Sequence, residues 1–135
     1  MIAFAPAAGW TILHPSTEPR TVLAVTAPDA RSQEPFAAFT SLRRLRRDGV
    51  LIWADASRPD ARVGPFPRAR LPLRLRDFRV DHGWEGQPAP NVQQRLRWVE
   101  VAGWNLEVRV YFGTQHPGRA LLAKTQAEID RLRLP

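Results

Sequence analysis

In "NLEVRVYF", residues 105–112, Leu106, Val108, Val110 and Phe112 alternate with Glu107, Arg109 and Tyr111. A period of two predicts a strand with one buried and one wet face, the pattern of an antiparallel sheet. "QRLRWVEV" (94–101) precedes it, joined through a tight "AGW" turn, and reads as its hairpin partner. "GWTILHP" (9–15) and "RTVLAVTAP" (20–28) are short β-rich runs, each closed by proline and separated by the turn-like "STEP". "VLIWA" (50–54) reads as a buried strand. In "LPLRLRDFRV" (71–80), Leu71, Leu73 and Leu75 face in and Arg74 and Arg76 face out. The phase then slips so that Phe78 and Val80 continue the inner face, which predicts a bulge near Asp77. Trp53 and Trp98 fall inside strands. With Val108 and Val110 they are expected in the core, where truncating either tryptophan to alanine costs about 3–5 kcal/mol.

Two stretches switch to a helical period. Over 33–48, Ser32 is the N-cap, Pro35 sits in the first turn where its missing N–H has no intrahelical partner, and Phe36, Phe39, Leu42 and Leu45 form an apolar stripe. Gly49 is the expected left-handed residue after the helix end. Over 115–132, Thr114 is the N-cap and Leu121, Leu122, Thr125, Ile129 and Leu132 face inward. The resulting order is β-β-α-β-β-β-β-α. It predicts a single α+β domain spanning 1–135: an antiparallel sheet of about six strands with two packed helices.

Composition changes this picture in one respect, charge. The net charge is +7, and Lys124 is the only lysine among the 20 basic residues. Arginine forks suit phosphate and carboxylate. However, 13 prolines and abundant alanine point to a GC-rich coding bias that raises arginine without any ligand. Arg43, Arg44, Arg46 and Arg47 would sit at a solvated helix end, where each cation complements the helix dipole by about 0.3–1 kcal/mol. There is no cysteine, which excludes a disulfide framework and a thiolate metal site. No apolar run approaches the ~18 residues of a membrane span. "MIAFAPAAGW" lacks the basic and apolar regions of a signal peptide, so an extracytoplasmic location would need a targeting segment outside this chain.

Catalytic signatures are absent. There is no glycine-rich phosphate loop, nucleophile elbow or HExxH helix. Ser16, Ser32, Ser41 and Ser57 have no histidine nearby in sequence. Asp81, His82 and Glu85 lie within five residues, which reads as a polar loop before it reads as a metal site. No enzyme activity, cofactor or metal is therefore expected. Trp10, Trp84 and Trp104 fall at strand entrances or turns, where exposed rings cover sheet ends or stack on sugars or bases.

The layout resembles the broad Mog1/PsbP-type α+β domains and uncharacterised exported domains of GC-rich bacteria. The carriers are the proline-rich start into Gly9 and Trp10, the two-strand opening, and "NLEVRVYFG" leading into a helix that finishes "EIDRLRL" (128–134). The resemblance implies a non-catalytic assembly or binding module and carries over no functional residue.

The function expected from sequence is thus a non-enzymatic interaction or accessory module with a protein partner. The alternative is binding of nucleic acid or another polyanion through residues 58–79. There Arg58, Arg62, Arg68, Arg70, Arg74, Arg76 and Arg79 stand against Asp60 and Asp77, seven positive minus two negative giving +5, with Trp84 close behind.

Overall fold

The structure, a computed structural model, describes residues 2–4, 8–13, 21–25, 45–81 and 91–134. Eight strands occur among them: β1 (Ala3–Phe4), β2 (Thr11–Leu13), β3 (Thr21–Val25), β4 (Val50–Ser57), β5 (Arg79–Asp81), β6 (Gln93–Val101), β7 (Trp104–Phe112) and β8 (Leu132–Arg133). The one helix among these residues is α1 (Arg119–Ile129). The long alternating runs become the long strands because pairing satisfies backbone polar groups along their length while one side stays dry. β2 to β7 make one antiparallel sheet in the order β2-β3-β4-β7-β6-β5. β1 and β8 pair separately, with Ala3 opposite Arg133 and Phe4 opposite Leu132.

The core lies on one face of the large sheet. Val50, Ile52, Ala54 and Ala56 of β4, Val99 and Val101 of β6, and Leu106, Val108, Val110 and Phe112 of β7 are buried there. Against them pack Leu73, Leu75 and Phe78 from the segment between β4 and β5, Ile129 and Leu132 at the chain's end, and Ile2 and Phe4 at its start. Burying such side chains stabilises the fold by roughly 1.5–3 kcal/mol each, before chain entropy is counted.

The hairpin β6–β7 turns on Ala102 and Gly103, whose φ values are +52° and +79°. Two consecutive left-handed residues make the mirror-image turn whose twist matches that of its strands. Gly113 is needed for a different reason. Its N–H donates to the Gly49 carbonyl at 3.1 Å, and a Cβ there would lie 1.9 Å from the Arg46 carbonyl oxygen.

Several sequence expectations are corrected. The described residues are mostly β with one helix, so they do not form an α+β arrangement of two packed helices. Residues 33–44 of the expected first helix lie outside the described residues. Residues 45–48 are irregular and turn, and Gly49 is not left-handed. The turn closes instead by donation from the Gly49 N–H to the Arg46 carbonyl at 2.8 Å. The second helix is shorter than 115–132. It begins after Gly118 with no side-chain cap, because the Thr114 hydroxyl accepts the His116 N–H at 3.2 Å within the preceding turn. Leu132 belongs to β8.

Residues 71–80 are not one bulged strand. Leu73 and Leu75 are buried as their spacing predicts, but a 3₁₀ turn over Leu75–Asp77 produces the phase slip, and only Arg79–Asp81 pairs with β6. The physical reason is Gln126 of α1. Its Oε1 accepts the Leu75 N–H at 2.7 Å and its Nε2 donates to the Leu73 carbonyl at 2.9 Å. A side chain thereby satisfies backbone groups that a strand would have paired. Val80, expected inside, is 42% exposed.

Candidate binding surface

The second face of the large sheet carries the unusual chemistry. Register places Trp53, Arg109, Leu96 and Arg79 across it in one row, and Asp55, Glu107 and Trp98 in the next. Tyr111, Gln94 and Leu51 are buried on this face. Trp98, by contrast, is 45% exposed. The expectation that Trp98 is core is therefore corrected, and Trp53 is only half-buried. β6 carries apolar residues on both faces, and register with β7 decides the matter. Val99 pairs with Leu106 over the core, whereas Trp98 pairs with Glu107 on the other side.

Each arginine bordering Trp98 stands beside a carboxylate. The Arg109 Nε donates to Glu107 Oε1 at 2.6 Å, and its guanidinium lies 5.4 Å from the Trp53 ring centroid. Burial pulls the Arg109 pKa down, but Glu107 and Tyr111 more than offset this and hold it above its usual value. Arg79 Nη2 meets Asp81 Oδ2 at 3.2 Å and lies over the Trp98 ring, 5.9 Å from its centroid. Arg68 Nε is 3.3 Å from Glu100 Oε2. Phe66 approaches Trp98 with ring centroids 6.4 Å apart and a 37° tilt, which leaves much of the indole open.

The arginine-rich segment 58–79 is anchored at several points. Asn105, 1% exposed, accepts the Phe66 N–H at 3.1 Å and donates to the Gly64 carbonyl at 3.1 Å. Residues 67–69 run beside β6, with the Ala69 N–H donating to the Glu100 carbonyl and the Glu100 N–H to the Pro67 carbonyl. Asp60 accepts the backbone N–H groups of Arg62 and Val63 at 2.7 and 2.8 Å, and these bonds lower its pKa, Val63 contributing more. Arg58 lies over the Trp104 ring at 3.9 Å and donates to the Gly103 carbonyl at 3.0 Å, clamping the segment's start to the hairpin.

The eight candidate residues thus separate. Arg58, Arg68 and Arg79 are engaged as described. Arg62, Arg70, Arg74 and Arg76 are exposed, and their side chains have no hydrogen-bond or ion-pair partner among the described residues. Trp84 lies outside the described residues. Of the acidic-loop group, only Asp81 is described. Sequence reasoning missed Phe66, Glu107 and Arg109. Alternation places the two charged residues only on a wet strand face, and nothing local in the sequence brings Phe66 to Trp98.

Among the described residues no helix is long and apolar enough to cross a membrane. Comparison with protein-family models, with curated proteins and with solved structures finds no match for this chain.

Proposed function

We propose that the protein is a non-enzymatic binding module that engages its partner through the Trp98 face of the sheet. The observation that carries this reading is Trp98 itself. A large apolar ring, 45% exposed, stands on a strand whose neighbouring side chains Leu96 and Val99 are buried. Aromatic residues are enriched where surfaces bind, and an open indole leaves apolar area that a ligand can cover. The sequence layout, which resembles assembly and binding domains, agrees with it. The test immobilises wild-type protein and Trp98→Ala and compares what each retains. A component held by the wild type and lost with the variant supports the reading. Identical recovery, or substrate turnover that a single side-chain substitution abolishes, overturns it.

A second reading, polyanion binding through segment 58–79, is favoured by the four exposed arginines at 62, 70, 74 and 76, whose side chains have no partner among the described residues. Affinity for mixed-sequence DNA should fall log-linearly with salt. Arg74→Gln with Arg76→Gln should flatten the slope by about two units, since each neutralised phosphate releases counterion. Binding that ignores both salt and the substitutions excludes this segment.

A further inference from the structure

The face around Trp98 differs in kind from the arginine segment beside it. Its register is regular: Arg79 is opposite Leu96, Arg68 is bridged to Glu100, and Trp98 lies midway between them on the same side of β6. The two arginine positions are therefore about 13 Å apart along the strand, with the indole between them. Across the sheet, Glu107 is opposite Trp98 and bonded to Arg109.

Among the described residues, each arginine on this face stands beside a carboxylate: Arg79 with Asp81, Arg68 with Glu100, Arg109 with Glu107. A phosphate or carboxylate ligand would have to displace a carboxylate to gain a charge-assisted bond. The arginines without a partner among the described residues are different side chains, Arg62, Arg70, Arg74 and Arg76 of the segment leading to β5. What the Trp98 face offers is an apolar ring surrounded by charge-balanced donors and acceptors. The Glu107 and Arg109 side chains are each about one-fifth exposed, while those of Arg79 and Arg68 are 65% and 93% exposed. Guanidinium N–H groups donate, and the carboxylate lone pairs left over from the ion pairs accept. A ligand that suits this set is uncharged, has a flat C–H face to lay on the indole, and carries hydroxyls at its rim that both donate and accept. Those are the properties of a pyranose ring.

We propose that the Trp98 face binds a neutral saccharide, with one sugar ring stacked on Trp98, Phe66 lying against its edge, and hydroxyls bonded by Arg79, Asp81 and Glu107. This rests on the reading of that face as a binding surface and names its ligand class. The polyanion reading rests on other side chains, Arg74 and Arg76 among them.

The experiment is depletion of the full chain from solution by insoluble cellulose, chitin, xylan and starch, at 0.15 and 0.5 M NaCl, with immobilised heparin as the anionic control. The expected result is retention on at least one neutral polysaccharide that is insensitive to salt. Arg74→Gln/Arg76→Gln should leave it unchanged, and Trp98→Ala should weaken it about tenfold or more, the loss expected for a stacking ring. Trp98→Phe, which keeps a smaller ring, should fall between. A thermal melt of each variant checks that folding is retained. Retention on heparin alone, abolished by salt and by the paired arginine substitutions, overturns the saccharide inference and leaves the polyanion reading standing. Trp98-dependent capture of a protein with no saccharide retention also overturns it, but leaves the binding-module reading intact. No retention on any polysaccharide and no Trp98-dependent capture overturns both.

Discussion

Glu128 is the group whose replacement should most change how stability depends on pH. It lies on α1, is 1% exposed, and neither carboxylate oxygen accepts a hydrogen bond from the described residues. Arg131 Nε stands 4.0 Å from Oε2, at the outer limit of an ion pair, and its side chain is 44% exposed. Burial disfavours the charged form and raises the Glu128 pKa above its ordinary value, while Arg131 opposes this and only in part. A carboxyl with a raised folded pKa keeps its proton in the native state at pH values where the unfolded chain has already lost it. Its contribution to stability is then fully present below the unfolded pKa of about 4.3 and is lost as pH rises through the folded pKa. Leaving a buried polar group unsatisfied costs about 1–3 kcal/mol, and more when it is charged. Glu128→Gln removes the titration while keeping the shape. Urea denaturation of both proteins, followed by circular dichroism from pH 4 to pH 8, provides the assay. The two should be nearly equally stable at pH 4, with the variant gaining on the wild type as pH rises through the folded pKa, by about 1.4 kcal/mol for each unit by which burial raises it. Taking the difference between the proteins cancels the other titrating groups. A difference that stays constant with pH, or a wild type that gains on the variant as pH rises, refutes a buried carboxylate that burial destabilises more than Arg131 stabilises it.

Three other substitutions test backbone geometry and burial. Ala102 holds a left-handed conformation that costs a non-glycine residue roughly 1–2 kcal/mol. After the added freedom of the unfolded chain, Ala102→Gly should therefore stabilise the protein by about 0.5–1 kcal/mol in a thermal melt, and a lowered midpoint contradicts the turn assignment. Leu106→Ala, at a fully buried site, should cost about 2–5 kcal/mol by chemical denaturation. Trp98→Ala should cost about 1–3 kcal/mol, less than the roughly 3–5 kcal/mol of a fully buried tryptophan, because 45% of the residue is already exposed, and a loss at the upper end of the buried range would place Trp98 in the core after all.

The strands β6 and β7 and the inward set Leu106, Val108, Val110 and Phe112 were legible in the sequence, because strict alternation leaves only one way to keep one face dry. The inward positions Thr125 and Ile129 of α1 were legible for the same reason at a helical period. Periodicity did not determine conformation where backbone groups find partners far away in sequence. Residues 73–75 alternate like a strand, yet they end in a 3₁₀ turn because Gln126, more than fifty positions on, takes their hydrogen bonds. Trp98 shows the same limit for function. A run such as "LRWVEV" supports either face, and only pairing with Glu107 across the hairpin turned the indole outward. The sequence by itself counted the arginines. Tertiary structure decided which of them carboxylates had already neutralised, since that depends on distances in space: Arg68 meets Glu100 across thirty-two positions, whereas Arg70, Arg74 and Arg76 meet no such partner among the described residues.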